Sequence, residues 1–494
     1  MKKFPSKEKN IDYIAYGVIA VYILIFIFLS FGRHDALKSY LNDTSAYDQA
    51  IWNTLKGRVM IVSSSLLDEP QFFAARFSPI LFFFVPIYAI FASPKWLFLF
   101  QALSVGLSAV PVYLLAKEKL KNILVSFIFL VSYLLYPVLH NGLLYDFHEI
   151  VFAVGFAAWA FYFLEKRNDK LFILFAFLMI LSQEYLALLV FMMGICLIFF
   201  KKRRKFGAMV AIAALFYYIL TVSVIMPHFS TTGKAAFLAN NMALASRYGW
   251  LGSGFPEIIK NILIHPLFVL KVISSFDRLR YLFLLVAPIF SLALFSWPFL
   301  IALPVIFLYL ISMNSITYNI FFYHSAILAP FVFFAAIYTY KKWFLEDKFL
   351  RRIFAVFILT FSLGASILYG VSPLSPYYKT SDYIPSAHAK KIKEVEKIIP
   401  PEASLSVQHN LGPHFSEREL IWRFPLHKDD AQYILLDTFD PYASNPKQLF
   451  VFPYALQMEV GDWQQAIEDL KNSKKYDLIF QDDGYLLFRA RKNA

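Results

Sequence analysis

The chain has 494 residues, 59% hydrophobic and 19% aromatic, with a mean hydropathy of +0.55. A soluble domain is nearer half apolar, so lipid is the solvent expected for most of this protein. The formal net charge of +13 then reads as a topology signal under the positive-inside rule, and a nucleic-acid partner is excluded. One cysteine, Cys196, cannot form an internal disulfide.

Five basic clusters punctuate the chain: Lys2 to Lys9, Lys117 to Lys121, Lys166 to Lys170, Lys201 to Lys205, and Lys341 to Arg352. If all are cytoplasmic, an even number of crossings separates each neighbouring pair. A spanning helix needs roughly 20 apolar residues. Residues 11–31 and 95–116 give the first two crossings. The run 78–92 is short and holds Pro79 and Pro86, so it reads as a re-entrant or juxtamembrane helix on the outer side. Residues 123–138 and 150–164 give two more. The run 171–200 reads as two short helices meeting near Ser182-Gln183-Glu184. Four follow, at 206–226, 280–293, 296–311 and 322–340, and 353–371 leads out. The sum is an α-helical polytopic membrane protein with about 11 transmembrane helices. The runs do not alternate every second residue, as barrel strands would. The parity count expects a multi-pass plasma-membrane protein. Its cytoplasmic tail is 1–10, its transmembrane domain 11–371, and its outer loops lie near 32–77, 139–149, 227–279 and 312–322.

Residues 372–494 change character after Ser372-Pro373-Leu374-Ser375-Pro376 and read as a small extracytoplasmic α/β domain. Residues 386–400 suit an amphipathic helix. Ser404–Gln408 and Tyr433–Asp437 suit strands, and Trp463–Lys471 suits a helix. Tyr476–Gln481 and Tyr485–Arg489 suit a hairpin, because Asp483-Gly484 supplies the positive φ its turn needs.

Four sites carry candidate chemistry. In Ser45-Ala46-Tyr47-Asp48, Ser45 fits an N-cap with Asp48 in the first turn, and Gly57 would end the helix. In Tyr145-Asp146-Phe147-His148-Glu149, Asp146 can cap the helix that follows. Asp146, His148 and Glu149 also offer a general base or ligands for a hard divalent cation, Mg or Mn. Asp146 and Glu149 would share one helical face. Glu184 is an acid at or near membrane depth, which marks function by default. His324 enters an apolar helix after a polar loop. Arg76 and Arg247 add cations, which often meet only lipid head groups. Parity places Asp48, Arg76, Asp146, His148, Glu149, Glu184 and His324 on the outer face. Carboxylates and cations at one interface suggest a phosphate-bearing substrate. There is no zinc spacing, Walker loop or dinucleotide fingerprint.

This layout resembles the GT-C superfamily of integral-membrane glycosyltransferases, which includes protein mannosyltransferases and aminoarabinose lipid A transferases. It more closely resembles an uncharacterised bacterial and archaeal family of predicted membrane proteins. The matching segments are Tyr47-Asp48-Gln49-Ala50-Ile51-Trp52-Asn53, Phe77-Ser78-Pro79-Ile80, Tyr145-Asp146-Phe147-His148, and a tail pattern from His414-Phe415-Ser416 through Asp437 to Asp483-Gly484-Tyr485. The sequence departs from the family at Arg76 and at Glu417, where histidines are expected, and at Gln183, where a basic residue is expected. The resemblance implies a GT-C-like fold, a polyprenyl-phosphate sugar donor and transfer to an extracytoplasmic glycan, lipid or protein acceptor. It implies a general-base or orienting role for Asp48 and a metal- or acceptor-holding role for Asp146. Arg76 and Arg247 would meet the departing lipid phosphate, with His148, Glu184 and His324 as further substrate contacts and Asp146 and Glu149 as metal ligands. Membrane lipids are expected partners. Two other classes stay open: a transporter or flippase, which Glu184 in a broken helix would suit, and a non-catalytic envelope assembly protein.

Overall fold

A computed structural model describes residues 7–64, 69–235, 247–439 and 460–491. Lys2 and Lys3 of the first basic cluster, and 236–246 of the expected outer loop, lie outside the described residues. The chain divides into two compact units. The first holds Met1–Ile27, Phe73–Ile80 and Leu99–Tyr378; the second holds Phe28–Phe72, Leu81–Phe98 and Lys379–Ala494.

The first unit is helical. Among the described residues six helices are long and apolar enough to cross a membrane: Lys9–Asp35, Lys95–Leu120, Ile123–Tyr145, Arg204–Phe229, Tyr323–Phe344 and Lys348–Tyr369. Pro79–Ile90, Glu184–Phe199 and Pro298–Leu310 are shorter apolar helices. The run 171–200 breaks where expected: Asp169–Ser182 stops at Gln183, whose backbone is extended, and Glu184–Leu186 forms a tight 3-10 turn before Ala187–Phe199. The expected span 280–293 is less regular. Its helix, Phe276–Val286, gives way to 3-10 turns on either side of Phe290 and Ser291, which both take φ of 55°.

Helix contacts here rest on small residues, as they do where lipid removes any hydrophobic drive between helices. A Cβ added at Gly194 would fall 2.6 Å from the backbone nitrogen of Ala211, and one at Gly207 would fall 2.7 Å from the carbonyl of Gly194. Helices 187–199 and 204–220 therefore touch backbone to backbone.

Several residues of the three middle basic clusters are paired with acids. Glu165, with 1% of its side chain exposed, closes helix Glu149–Glu165 and is bound by Lys119 at 3.0 Å and Lys201 at 2.5 Å, while Tyr338 donates its hydroxyl. Glu118 accepts from Lys166 at 2.9 Å, Asp12 accepts from Lys117 at 2.7 Å, and Arg203 grips Asp169 through both terminal nitrogens. Residues near 12, 118, 165, 201 and 338 thus share one end of the helical unit.

Among the described residues the second unit has the strands β1 (Leu405–Val407), β2 (Ile421–Arg423), β3 (Tyr433–Asp437), β4 (Tyr476–Asp482) and β5 (Tyr485–Ala490). They form one five-stranded sheet in the order β2-β1-β3-β5-β4. The pairings of β1 with β2 and β3 are parallel; those of β5 with β3 and β4 are antiparallel. Period-two alternation splits the core. Leu405, Val407, Leu435 and Leu487 pack on one face with Leu37, Leu41, Ile392 and Val395. Ile434, Leu436, Leu486 and Phe488 pack on the other with Trp463, Ile467 and Leu470, one stripe of helix Val460–Lys471. The hairpin turn has φ of 48° at Asp483 and 91° at Gly484, as its sequence demands. Two expectations change. Residues 386–400 form two short helices, Ala387–Lys390 and Ile392–Glu396, and Ile421–Arg423 is a strand that three residues are too few to announce. Residues after the first helix enter this core: the Leu41 N–H donates to the His409 carbonyl at 3.0 Å. A Cβ at Gly412 would fall 2.5 Å from Leu41 Cδ1.

His388 is sandwiched between Phe439 and Tyr485, with ring centroids 4.2 and 4.5 Å away. Its Nε2 is 2.9 Å from Asp437, and Nδ1 is 3.4 Å from Asp483. Burial alone would lower its pKa, but the two aspartates hold it above the ordinary histidine value.

Two outcomes follow for stability. Removing one partner of a buried charge network costs about 3–5 kcal/mol, so Glu165→Ala in detergent should unfold at a clearly lower temperature than wild type, and Tyr338→Phe at only a slightly lower one. A histidine with a raised folded-state pKa stabilises below its unfolded value and loses that contribution as pH rises through the raised one. Thermal scans across pH should therefore show wild type ahead of His388→Gln in mildly acidic buffer, with the gap closing at alkaline pH.

Candidate active site

Helix Ala46–Leu55 buries its polar side. Asp48, Gln49 and Asn53 are all 0% exposed, and each must find partners within the protein. The expected capping box is absent. A π-helical turn, Leu41–Ser45, runs directly into the helix, so Ser45 has helical backbone angles and makes no side-chain cap. Asp48 is thereby released from capping. Its Oδ1 accepts from the Tyr88 hydroxyl at 2.6 Å and its Oδ2 from the Ser416 hydroxyl at 2.7 Å. Gln49 binds two chain segments at once. Its Oε1 accepts from the Ser63 N–H at 2.9 Å and the Ser64 N–H at 3.1 Å, and its Nε2 donates to the carbonyls of Arg418 and Glu419 at 3.1 and 2.9 Å. Asn53 donates to the Ile61 carbonyl and accepts from Arg58 Nε, both at 2.9 Å. Gly57 ends the turn after the helix at φ 84°, as its position suggested.

Glu417 follows Ser416, is half-buried, and interacts electrostatically with Asp48. Among the described residues no cation acts appreciably on either carboxylate. The neighbouring Arg418 directs Nε to the Phe415 carbonyl at 2.7 Å and Nη1 to the Ala403 carbonyl at 2.9 Å. Burial pushes Asp48 above the usual carboxylate range, and the hydrogen bonds from Ser416 and Tyr88 offset part of that rise. Burial also pushes Glu417 up, and the charges of Asp48 and Glu396 push it further. This is a like-charge pair in one site, the arrangement that keeps a carboxylic acid protonated near neutral pH.

The first unit gathers the other expected residues. Asp146 does not cap the next helix and shares no helical face with Glu149: it follows helix Pro137–Tyr145 with extended backbone, and His148 stands at the N-cap. Gln101 clamps this loop, donating to the Asp146 carbonyl at 3.0 Å and accepting from the His148 N–H at 2.8 Å. The His148 ring stacks on Tyr323, which stacks on His324, with centroids 3.3 and 4.1 Å apart. Tyr309 donates to the His324 carbonyl at 3.0 Å. Glu184 accepts from the Phe77 N–H at 3.1 Å, which ties the broken helix to the segment carrying Arg76. Arg76 acts electrostatically on Glu184, His148 and His324, Arg247 on His324, and Glu149 on Glu184. Arg76, His148, Glu149, Glu184, Arg247 and His324 therefore form one polar group, which Asp146 joins through its backbone. Among the described residues no group of three or more His, Cys, Asp or Glu side chains is arranged to hold a metal ion.

The residues that sequence reasoning missed are Gln49, Tyr88, Gln101, Ser416 and Glu417 in these roles. Ser416 stood inside a recognised segment, whereas Tyr88 lies in an apolar run that carries no signal for a hydroxyl donor.

A carboxyl group whose folded-state pKa is raised binds more protons folded than unfolded, so its contribution to stability falls as pH rises through that range. Glu417→Gln should accordingly gain thermal stability over wild type as pH is raised from acidic to alkaline, with the two proteins converging in acid.

No curated protein matches the chain. Among solved structures, ArnT from Cupriavidus metallidurans bound to undecaprenyl phosphate is similar with a TM-score of 0.53 and 11% identity, over 97% of this chain and 98% of that one. The same protein in the apo state gives 0.48 and 11%, over 96% and 98%. At this identity the first likeness is one of fold. The family model described as "Predicted membrane protein (DUF2079)" matches residues 33–487, a stretch that includes every candidate residue above. The chain is a member of the DUF2079 family of membrane proteins.

Proposed function

We propose that this protein is a GT-C-type membrane glycosyltransferase that moves a sugar from a polyprenyl-phosphate donor to an extracytoplasmic acceptor. The observation that carries the reading is the Asp48 site: a fully buried carboxylate, held at both oxygens by neutral hydroxyls, beside a second carboxylate and, among the described residues, acted on by no cation. A structural ion pair would need a cation; a general base needs a carboxyl group poised near the working pH. The fold supports the same reading, since the similar ArnT structure holds undecaprenyl phosphate.

In this mechanism the acceptor hydroxyl gives its proton to the carboxylate site as its oxygen bonds to the sugar's anomeric carbon. The bond from that carbon to the phosphate oxygen breaks, its electron pair leaves with the polyprenyl phosphate, and the configuration inverts. Separately, the polar group of the first unit offers Arg76 and Arg247 as cations of the kind that suit a phosphate. His148, Glu184 and His324 supply polar contacts beside them. The N-terminus is cytoplasmic and the C-terminal domain extracytoplasmic, which puts the reaction on the side where lipid-linked sugars replace nucleotide sugars.

The test compares cell-envelope glycans and lipid-linked sugars of a deletion strain restored with wild type or with Asp48→Asn. Wild type should restore a missing glycoform, and Asp48→Asn, inserted at equal level, should form it about 10²–10⁴-fold more slowly. Full restoration by Asp48→Asn would discard the glycosyltransferase reading in favour of transport, with Glu184 in its broken helix as the ionisable centre.

A further inference from the structure

We propose that Glu417 is the group that takes the acceptor's proton, and that Asp48 is the residue that positions it. The assignment rests on the glycosyl-transfer reading above and divides the labour within that site.

Asp48 is badly placed to meet a substrate. It has no exposed surface, and each carboxylate oxygen already accepts a short hydrogen bond, from Tyr88 at 2.6 Å and Ser416 at 2.7 Å. A base must come within about 2.6–3.2 Å of the proton it removes. Glu417 keeps part of its side chain accessible. The same helix holds its neighbours on both sides: Asp48 accepts from the Ser416 hydroxyl before it, and Gln49 donates to the carbonyls of Arg418 and Glu419 after it. Helix Ala46–Leu55 thus sets the position of Glu417 through two consecutive side chains.

The groups that interact electrostatically with Glu417 are Asp48 on that helix, Tyr88 on Val85–Ile90, and Glu396 on Ile392–Glu396, whose carboxylate lies 3.9 Å from His414 Nδ1. Arg418 directs its guanidinium to backbone carbonyls. The charge of one acid opposes ionisation of the other, so they titrate as a pair. In the reaction the acceptor's proton moves to a Glu417 carboxylate oxygen while the acceptor oxygen bonds to the anomeric carbon. The polyprenyl phosphate departs with the electron pair of the broken bond.

The experiment measures glycoform formation from pH 5 to 9 in membranes of the deletion strain, which hold the native donor and acceptor, supplemented with purified full-length protein. Wild type should rise in rate through an ionisation above the usual carboxylate range. Glu417→Gln should lose about 100-fold or more, and Glu417→His should recover part of the rate, which shows that the site still folds. Asp48→Asn should keep a residual rate whose acidic limb moves to lower pH, because the neighbouring charge is gone. Glu417→Gln at the wild-type rate, or an Asp48→Asn limb that stays in place, would overturn the assignment. Wild type forming no glycoform would overturn the glycosyl-transfer reading, and this assignment with it.

Discussion

Three fully buried polar side chains on one ten-residue helix are the constraint on which the second unit depends. Each buried polar group left unanswered costs about 1–3 kcal/mol, so a helix presenting Asp48, Gln49 and Asn53 stands only where the chain supplies donors and acceptors around it. They come from the loop at Ile61–Ser64, from Tyr88, and from the segment 416–419. That requirement explains why three separated stretches of sequence make one compact body. The sheet contributes an apolar face for Leu37 and Leu41, and the polar helix determines how the chain lies against it.

The first unit obeys the same rule with charges in place of amides. Its acids and bases gather at helix ends and breaks, where a helix leaves backbone groups exposed and polar partners can collect. Glu165 with Lys119 and Lys201 ties helix ends together, and Glu184 fills a break by accepting from the backbone of Phe77. Glu165 is neutralised by two ammonium groups. Glu184 instead meets the charges of one acid, Glu149, and one cation, Arg76.

Helical periodicity and long apolar runs made the membrane helices legible. The break at Gln183 could be read because an acid between two apolar stretches is costly inside a continuous spanning helix and marks its interruption. The Asp-Gly hairpin was legible because only a few residues tolerate positive φ. What escaped was long-range. Whether Asp48 caps its own helix or meets a distant hydroxyl depends on the backbone at Ser45, and the π-helical entry there has no local signature. Glu417 was visible only as a departure from a pattern; its meaning required knowing that Ser416 reaches Asp48. Strand Ile421–Arg423 was lost because three residues carry too little periodicity to register. Local rules set the elements, and the site arises where distant elements meet.

The bond between Ser416 and Asp48 joins residues 368 apart in the chain. During synthesis helix 46–55 is therefore complete long before the residues that answer its polar side exist. Until the last quarter of the chain has been made, Asp48 lacks one of its two donors and Gln49 lacks two of its carbonyl partners. The nascent protein carries this helix as an unfinished surface while membrane helices are still being threaded. Closing the sheet and pairing the two acids are then the same late event, so a prematurely terminated chain is also a chain in which Asp48 never meets Ser416.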